Sequence, residues 1–405
     1  MSLQLPAGSP IGLIVGADSL AGRRSGVGRM TLEIIEAVRN RPEIGGLRLL
    51  MAGHLHRAEP VLAAMNGEPL PPPPPVRTGL FMRAKRLVAG VPGVQRLRGV
   101  KRRLTAGADL RDLRNAGAGT VYHEPNMIPQ PFGGPTVITV NDLSWFHHPE
   151  YHPQDRLDWI DRNITRALAD ASRFVAISNF TAAAMTRELG VASERIDVVP
   201  LAAGAQFAPI DAEAAAPILA AYGLQDRSYV LSVSTLEPRK NFDRLVAAHL
   251  TLPDALRHRA PLVIVGGSGW GTTLASPRAE RARQEGTLRL LGHVDDAGLV
   301  ALYARAAVFA YVSIYEGFGL PVIEAMASGT PVLASSTTAT GETAGDAAIL
   351  VDPEDVDAIA TGLRTLLEDP DLAASLATKG LARAACFTWD HTASALIRTW
   401  RAALA

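Results

Sequence analysis

Residues 307–328 read AVFAYVSIYEGFGLPVIEAMAS. The first seven form a continuous apolar, β-branched and aromatic run, the pattern of a strand buried on both faces of a parallel sheet. From Leu320 onward the pattern becomes helical, with Pro321 at the first position, where its missing N–H costs nothing. Strand, glycine-rich turn and helix in that order make half of a βαβ unit. Two carboxylates, Glu316 and Glu324, flank the turn, and any reading of the chain has to say what they are for.

The same alternation runs outward in both directions. IGLIVGA (11–17), LRLLMAG (47–53), TVYHEP (120–125), TVITVND (136–142) and RFVAIS (173–178) form one set of strand-like runs, separated by amphipathic helical stretches. YVLSVS (229–234), PLVIVGG (261–267), LRLLGH (288–293), AVFAYVS (307–313), TPVLAS (330–335) and AAILV (347–351) form another. Strands alternating with helices specify α/β architecture with parallel sheets. Between the sets lies VVPLAAGAQFAPIDAEAAAP, rich in Ala, Pro and Gly, which places a boundary near residue 205. The expectation is two doubly wound domains, 1–204 and 205–387, facing a cleft, with ligands where the strand C-termini meet it.

Composition narrows the function. The chain has 405 residues, enough for two domains, with 40 basic and 40 acidic side chains and a net charge of zero. A general nucleic-acid binder is therefore not expected. Cys386 is the only cysteine, so no internal disulfide can form and a reducing cytosol is expected. MSLQLPAGSP lacks the basic and apolar regions of a secretory signal, and Arg305 interrupts the longest apolar run, so no membrane span is expected. Two segments depart from the pattern. PLPPPPPV (69–76) should be polyproline II, and residues 83–103 carry Arg83, Lys85, Arg86, Arg96, Arg98, Lys101, Arg102 and Arg103 with no acid. That basic stretch reads as a solvated face, a dock for anionic lipid, or a holder of a pyrophosphate-bearing acceptor.

The backbone N–H groups around Gly317, Phe318, Gly319 and Leu320 make an anion site at a helix start. A phosphate site has no use for adjacent acids, so Glu316 and Glu324 should accept hydrogen bonds from neutral hydroxyls, as the acid of a dinucleotide site does from ribose. A ligand with phosphate and two sugars uses every part. The competing reading makes Glu324 a charge against the helix dipole and Glu316 a turn residue. Positive charge comes from STLEPRKNFDRLV (234–246), where Arg239 and Lys240 suit a diphosphate; the bland alternative is a surface turn with a cap at Asn241. GGSGWG (266–271) offers a second glycine turn. In the N-terminal half, Gly26 and Gly28 open the first helix, His123 ends the strand before YHEPN closes, and Asp142 ends the next. His147, His148 and His152 lack the acid and cysteine framework of a metal site, so no metal is expected. No G-x-G-x-x-G turn with its distant acid is present, which argues against a nicotinamide enzyme.

Taken together, STLEPRKN, LGHVDDAGLVALYARA and EGFGLPVIEAMASGTPVLAS, with SGVGR, YHEPN, VNDLSWFHHPE and AISNFT, resemble the retaining nucleotide-sugar glycosyltransferases of the GT-B fold, family four. The resemblance implies a donor site in the C-terminal domain and an acceptor site mainly in the N-terminal one, its region including Asp142 and His147. It implies that Glu316 contacts the donor sugar, Glu324 the ribose, and Arg239 and Lys240 the diphosphate, with Gly26 and Gly28 near the phosphates and His123 near the reactive centre. The C-terminal helix, about 388–405, would cross back onto the N-terminal domain. The run TVNDLSWFHHPEYHP is most similar to bacterial mannosyl- and rhamnosyltransferases that build O-antigen, capsule or exopolysaccharide. The expectation is transfer of mannose from GDP-mannose, without a cofactor, to a lipid-linked or oligosaccharide acceptor, by an enzyme peripheral to the inner face of the plasma membrane. GDP-rhamnose, UDP-glucose or dTDP-rhamnose as donor, and a non-catalytic partner subunit, are the alternatives.

Overall fold

The computed structural model describes residues 9–21, 26–65, 119–267, 269–271 and 273–405. The polyproline run and the basic segment at 83–103 lie outside the described residues.

The first sheet comprises β1 (Ile11–Gly16), β2 (Ile44–Met51), β3 (His54–Arg57), β4 (Thr120–Glu124), β5 (Thr136–Val140), β6 (Arg173–Ala176) and β7 (Ile196–Val198), in the order β3-β2-β1-β4-β5-β6-β7. β1 pairs in parallel with β2 and β4, and β4 with β5. β3 is antiparallel to β2 and is not foreseen by the sequence patterns. The chain reverses at Ala52 and Gly53, whose φ angles are 51° and 85°. A two-residue hairpin of that kind demands left-handed backbone at both positions, and Ala52 stands where Asn or Asp would have announced it.

The second sheet, β8 (Val230–Val233), β9 (Leu262–Val265), β10 (Leu288–Gly292), β11 (Val308–Tyr311), β12 (Val332–Ser335) and β13 (Ala348–Val351), has the order β10-β9-β8-β11-β12-β13. Every neighbouring pair is parallel. Val230, Leu262, Ile264, Val308, Ala310 and Leu333 share a core with Phe242, Leu245, Ile359 and Leu363 from flanking helices. Burying each large side chain contributes roughly 1.5–3 kcal/mol, so the strand ends are held firmly. In each sheet the chain lays strands to one side, then returns and continues on the other. The reversal falls between β1 and β4 in the first sheet and between β8 and β11 in the second, and there a doubly wound sheet offers its ligand crevice.

Packing divides the chain into two compact units. One contains the described residues up to Thr139, Ile164–Phe174 and Leu396–Ala405; the other contains Val140–Asn163 and Val175–Ala395. This partition differs from a single cut near residue 205. Val140–Asn163 and residues 175–204 go with the second unit, whose side chains bond to their backbone. The Trp270 indole donates to the Tyr151 carbonyl at 2.5 Å, and Glu342 accepts from the amides of Asn179 and Phe180, both at 2.9 Å. The last helix, Trp389–Leu404, begins in the second unit, where Trp389 Nε1 donates to the Ala203 carbonyl at 3.1 Å. From Leu396 it is counted with the first. No helix among the described residues is long and apolar enough to cross a membrane.

Candidate active site

β8 is followed by a short 3-10 turn, Pro238–Lys240, which ends at Asn241 in left-handed backbone (φ 61°) and hands over to helix α1, Phe242–Thr251. The Asn241 side chain does not cap that helix. Its Nδ2 donates to the carbonyls of Val312 (2.9 Å) and Pro353 (2.6 Å), while the Ile314 amide donates to the Arg239 carbonyl at 2.9 Å. The segments leaving β8, β11 and β13 are thereby tied to one another at their C-terminal ends.

The ties bring Arg239, Lys240 and Glu316 into one buried cluster. Glu316 Oε1 accepts from Lys240 Nζ at 2.6 Å and from the Tyr311 hydroxyl at 2.9 Å, and Oε2 lies 3.0 Å from Arg239 Nη1. Lys240 also donates to the Tyr311 hydroxyl at 3.1 Å. Arg239 donates to the Tyr315 carbonyl and stands 3.7 Å from Glu237 and 4.0 Å from Asp142. Burial alone would push the Glu316 carboxyl up, but Arg239 and then Lys240 outweigh it and hold it at about 2. Burial opposes the Arg239 charge, yet Glu316 and Asp142 raise its pKa further. Lys240 is raised as well: burial and then the repulsion of Arg239 oppose its charge, but the attraction of Glu316 and Tyr311 and the hydrogen bond to Glu316 together outweigh them. Asp142 feels the cost of burial, but Arg239 and two hydrogen bonds from Ser144 (2.9 and 2.7 Å) hold its carboxyl down. The cluster is an ionised network whose members stay charged because each stabilises another.

The glycine turn surrounds this network. Gly317 is wedged so closely that a β-carbon would overlap the Asn141 carbonyl oxygen. Gly319 is left-handed (φ 93°) and precedes helix α2, Leu320–Ala327, with Pro321 in its first turn. Phe318 is buried edge-on to Phe387, 5.6 Å between ring centres. Glu324 is also buried and accepts from the Tyr303 hydroxyl at 2.9 Å. His147 stacks on Tyr315 at 5.3 Å, the residue whose carbonyl accepts from Arg239, and Asp142 lies 4.0 Å from Arg239.

The remaining expected residues lie in the first unit. Gly26 and Gly28 open the helix Gly26–Val38; space around Gly26 is open and Gly28 is buried. His123 is fully buried on β4, its Nε2 2.8 Å from Thr139 Oγ1 and its ring 5.6 Å from that of Trp400. Burial pulls its pKa to about 3, so the imidazole is neutral. Its Nδ1 has no hydrogen-bond partner among the described residues. Next to it Glu124 accepts from the Tyr122 hydroxyl (2.6 Å) and the Asn126 amide (3.0 Å). Burial nevertheless lifts its carboxyl to about 7, and only a glycine at position 16 leaves room for it. A cavity of about 470 Å³ beside Pro129, Gln130, Phe132 and Asp170 contains none of the expected residues.

Three participants escape the sequence patterns, Glu124, Glu237 and Tyr311, while Asn241, foreseen only as a helix cap, instead ties two loops together. Glu237 sits inside STLEPRKN, where attention falls on the basic pair. Tyr311 reads as one more apolar strand residue, although a hydroxyl at the last position of a strand beside the reversal point is a usable signal. Among the described residues, no group of three or more His, Cys, Asp or Glu is arranged to hold a metal ion.

Two parallel doubly wound sheets, one with an ionised cluster at its reversal point, define a two-domain α/β enzyme of the GT-B class. The chain belongs to the group 1 and family 4 glycosyltransferases: residues 218–383 match the model for glycosyl transferases group 1 and residues 49–203 that for glycosyltransferase family 4. It is 36% identical over 292 residues to the O-antigen chain mannosyltransferase B of Escherichia coli, covering 72% of this chain and 76% of that protein. It is 33% identical over 233 residues to a serotype-specific mannosyltransferase of E. coli, covering 55% of this chain but only 28% of that much longer protein. Among solved structures, sucrose-phosphate synthase from Thermosynechococcus elongatus superposes with a TM-score of 0.67 at 20% identity, over 97% of this chain and 98% of that one, a likeness of fold.

Proposed function

We propose that this glycosyltransferase moves mannose, with retention of configuration, from GDP-mannose to a lipid-linked or oligosaccharide acceptor in cell-surface polysaccharide synthesis. The observation that carries the reading is the 36% identity to an O-antigen mannosyltransferase over 76% of that protein. The site geometry supports it. Arg239 and Lys240, fixed by Glu316 and Tyr311, hold the departing diphosphate and stabilise its growing charge, the kind of preorganised donor whose removal costs about 10²–10³ in rate. The acceptor hydroxyl attacks from the face the diphosphate leaves, and its proton passes to a phosphate oxygen. No protein nucleophile is required, and the positive pair takes the place of a metal ion.

Within this reading Glu316 is an ionised acceptor that orients the basic pair and receives sugar hydroxyls on its remaining lone pairs. At a pKa of about 2 it is not a proton donor. Glu324 receives the ribose hydroxyls, and the amides around Gly317, Phe318, Gly319 and Leu320 face the donor, with Gly26 and Gly28 near its phosphates. His123, being neutral, offers Nδ1 to a sugar hydroxyl. Asp142 and His147 lie on the acceptor's approach, and the basic segment 83–103 gives contact with anionic lipid at the inner face of the plasma membrane. The test is thermal shift and donor hydrolysis with GDP-mannose, GDP-rhamnose, UDP-glucose and dTDP-rhamnose, with and without chelator, followed by NMR of the product's anomeric configuration. Binding and hydrolysis of GDP-mannose above the others, insensitive to chelator and giving a retained product, is the expected result. No binding of any of the four would defeat the reading, and preference for another donor would replace mannose.

A further inference from the structure

The buried cluster holds more acid than base. Its cations are Arg239 and Lys240, while Glu316, Asp142 and Glu237 all lie within reach of the Arg239 guanidinium, at 3.0, 4.0 and 3.7 Å. The three acids are not equally provided for. Glu316 is engaged by both cations and by Tyr311, and Asp142 by Arg239 and both donors of Ser144. Glu237 is only 7% exposed, and no hydrogen bond from the described residues reaches its carboxylate. It lies under the second glycine loop, where a β-carbon at Gly269 would come within 2.8 Å of its Cγ.

Resting on the donor-site reading above, we propose that Glu237 is a proton-accepting member of that site: when a nucleotide-sugar diphosphate binds at Arg239 and Lys240, Glu237 takes up one proton from solvent. The two ionised phosphates add negative charge to a cluster already one cation short. A like charge arriving in a buried site drives the weakest-held carboxylate to its neutral form, and the other two acids are held ionised by shorter bonds. The other groups facing Glu237 do not change this order. Burial already raises its carboxyl, Lys240 and Arg239 pull it down, Glu316 pushes it up, and the exposed Arg156, 5.7 Å from the centre of the Trp270 ring, has the weakest pull of the four. A diphosphate takes over the attraction of the two nearest cations and leaves Glu237 without compensation. The neutral carboxyl then has a hydrogen to donate, and the glycosyl donor's phosphate oxygens are acceptors.

Isothermal calorimetry of whichever nucleotide sugar from the panel binds, in buffers of different ionisation enthalpy near neutral pH, reads the linked proton directly. A nucleotide sugar is the right probe because its doubly esterified diphosphate does not itself titrate there. The expected result is net uptake approaching one proton and affinity that falls by up to about tenfold per pH unit above neutrality. Glu237→Gln should abolish both the uptake and the pH dependence, and Glu237→Asp should keep them. Buffer-independent heat in the wild type, or undiminished uptake in Glu237→Gln, overturns the assignment, and the latter would point to another group such as His152. Should Glu237→Gln fail to fold, the pH profile of uptake in Glu237→Asp decides it: a profile shifted from wild type supports Glu237 and an unchanged one overturns the assignment. Binding without uptake defeats only this inference, whereas no binding by any nucleotide sugar removes the functional reading beneath it.

Discussion

The two reversal points share a topology and have opposite electrostatics. Beside β8 and β11, burial is overcome by pairing: Arg239, Lys240, Glu316 and Asp142 all stay ionised because each has an opposite charge in contact. Beside β1 and β4, burial wins. His123 is held neutral at about 3 and Glu124 is lifted to about 7, with Tyr122, whose own pKa burial raises well above its ordinary value, as neighbour. The same fold position thus holds a fixed charged network in one unit and, in the other, a neutral imidazole beside a carboxyl that titrates near neutrality.

The sharpest way to break this contrast is to unpair the charged cluster. Glu316→Ala leaves Arg239 and Lys240 without their shared partner, and kcat/KM for transfer should fall by about 10²–10³, mainly in kcat, as removing one preorganised electrostatic partner does; steady-state kinetics with saturating donor would read it. A change under tenfold would mean the network is structural only.

The neutral side is tested by Glu124→Gln. A carboxyl raised from 4.5 to about 7 in the folded state stabilises the fold fully below its unfolded value, and that contribution is lost as pH rises through 7. Glutamine does not titrate. Urea unfolding of the variant relative to wild type should therefore improve by roughly 3 kcal/mol between about pH 4 and pH 8. A difference that is flat with pH would show that Glu124 is ionised in the fold and erase the contrast. The smallest effect is expected from Tyr311→Phe. It removes one of three groups on Glu316 and one acceptor of Lys240, worth about 1 kcal/mol, so kcat/KM should drop about fivefold with folding stability little changed.

The strand pattern carries most of this fold because the central strands of both sheets, such as β4, β5, β9, β11 and β12, are buried on both faces, and unbroken runs of Val, Ile, Leu and Phe are hard to read otherwise. β3 escapes because Ala52 adopts a backbone conformation that its side chain does not advertise, and the three-residue β7 is too short for periodicity to register. In the site, EGFGLP and PRKN are legible as glycine turn and basic pair. What the sequence leaves hidden is how they engage. Glu316 appears in it as a sugar ligand, whereas the structure shows its carboxylate already held by Lys240, Tyr311 and Arg239. Charge state is the least legible property: His123 and Glu124 are adjacent in sequence, and only the packing around them, Trp400 and Thr139 for one, Tyr122 and Gly16 for the other, sets their titration.

The side chain of Asn241 has one more consequence. By holding the carbonyls of Val312 and Pro353 at once, a single amide fixes three connecting segments before any ligand arrives. Loops that are already ordered lose little conformational freedom on binding, and each side chain left to be immobilised would cost roughly 0.5–1.5 kcal/mol of affinity. On the proposed reading of the second unit as the donor site, these three segments would need little reordering when a nucleotide sugar binds, and selectivity there would depend on fit more than on reshaping them.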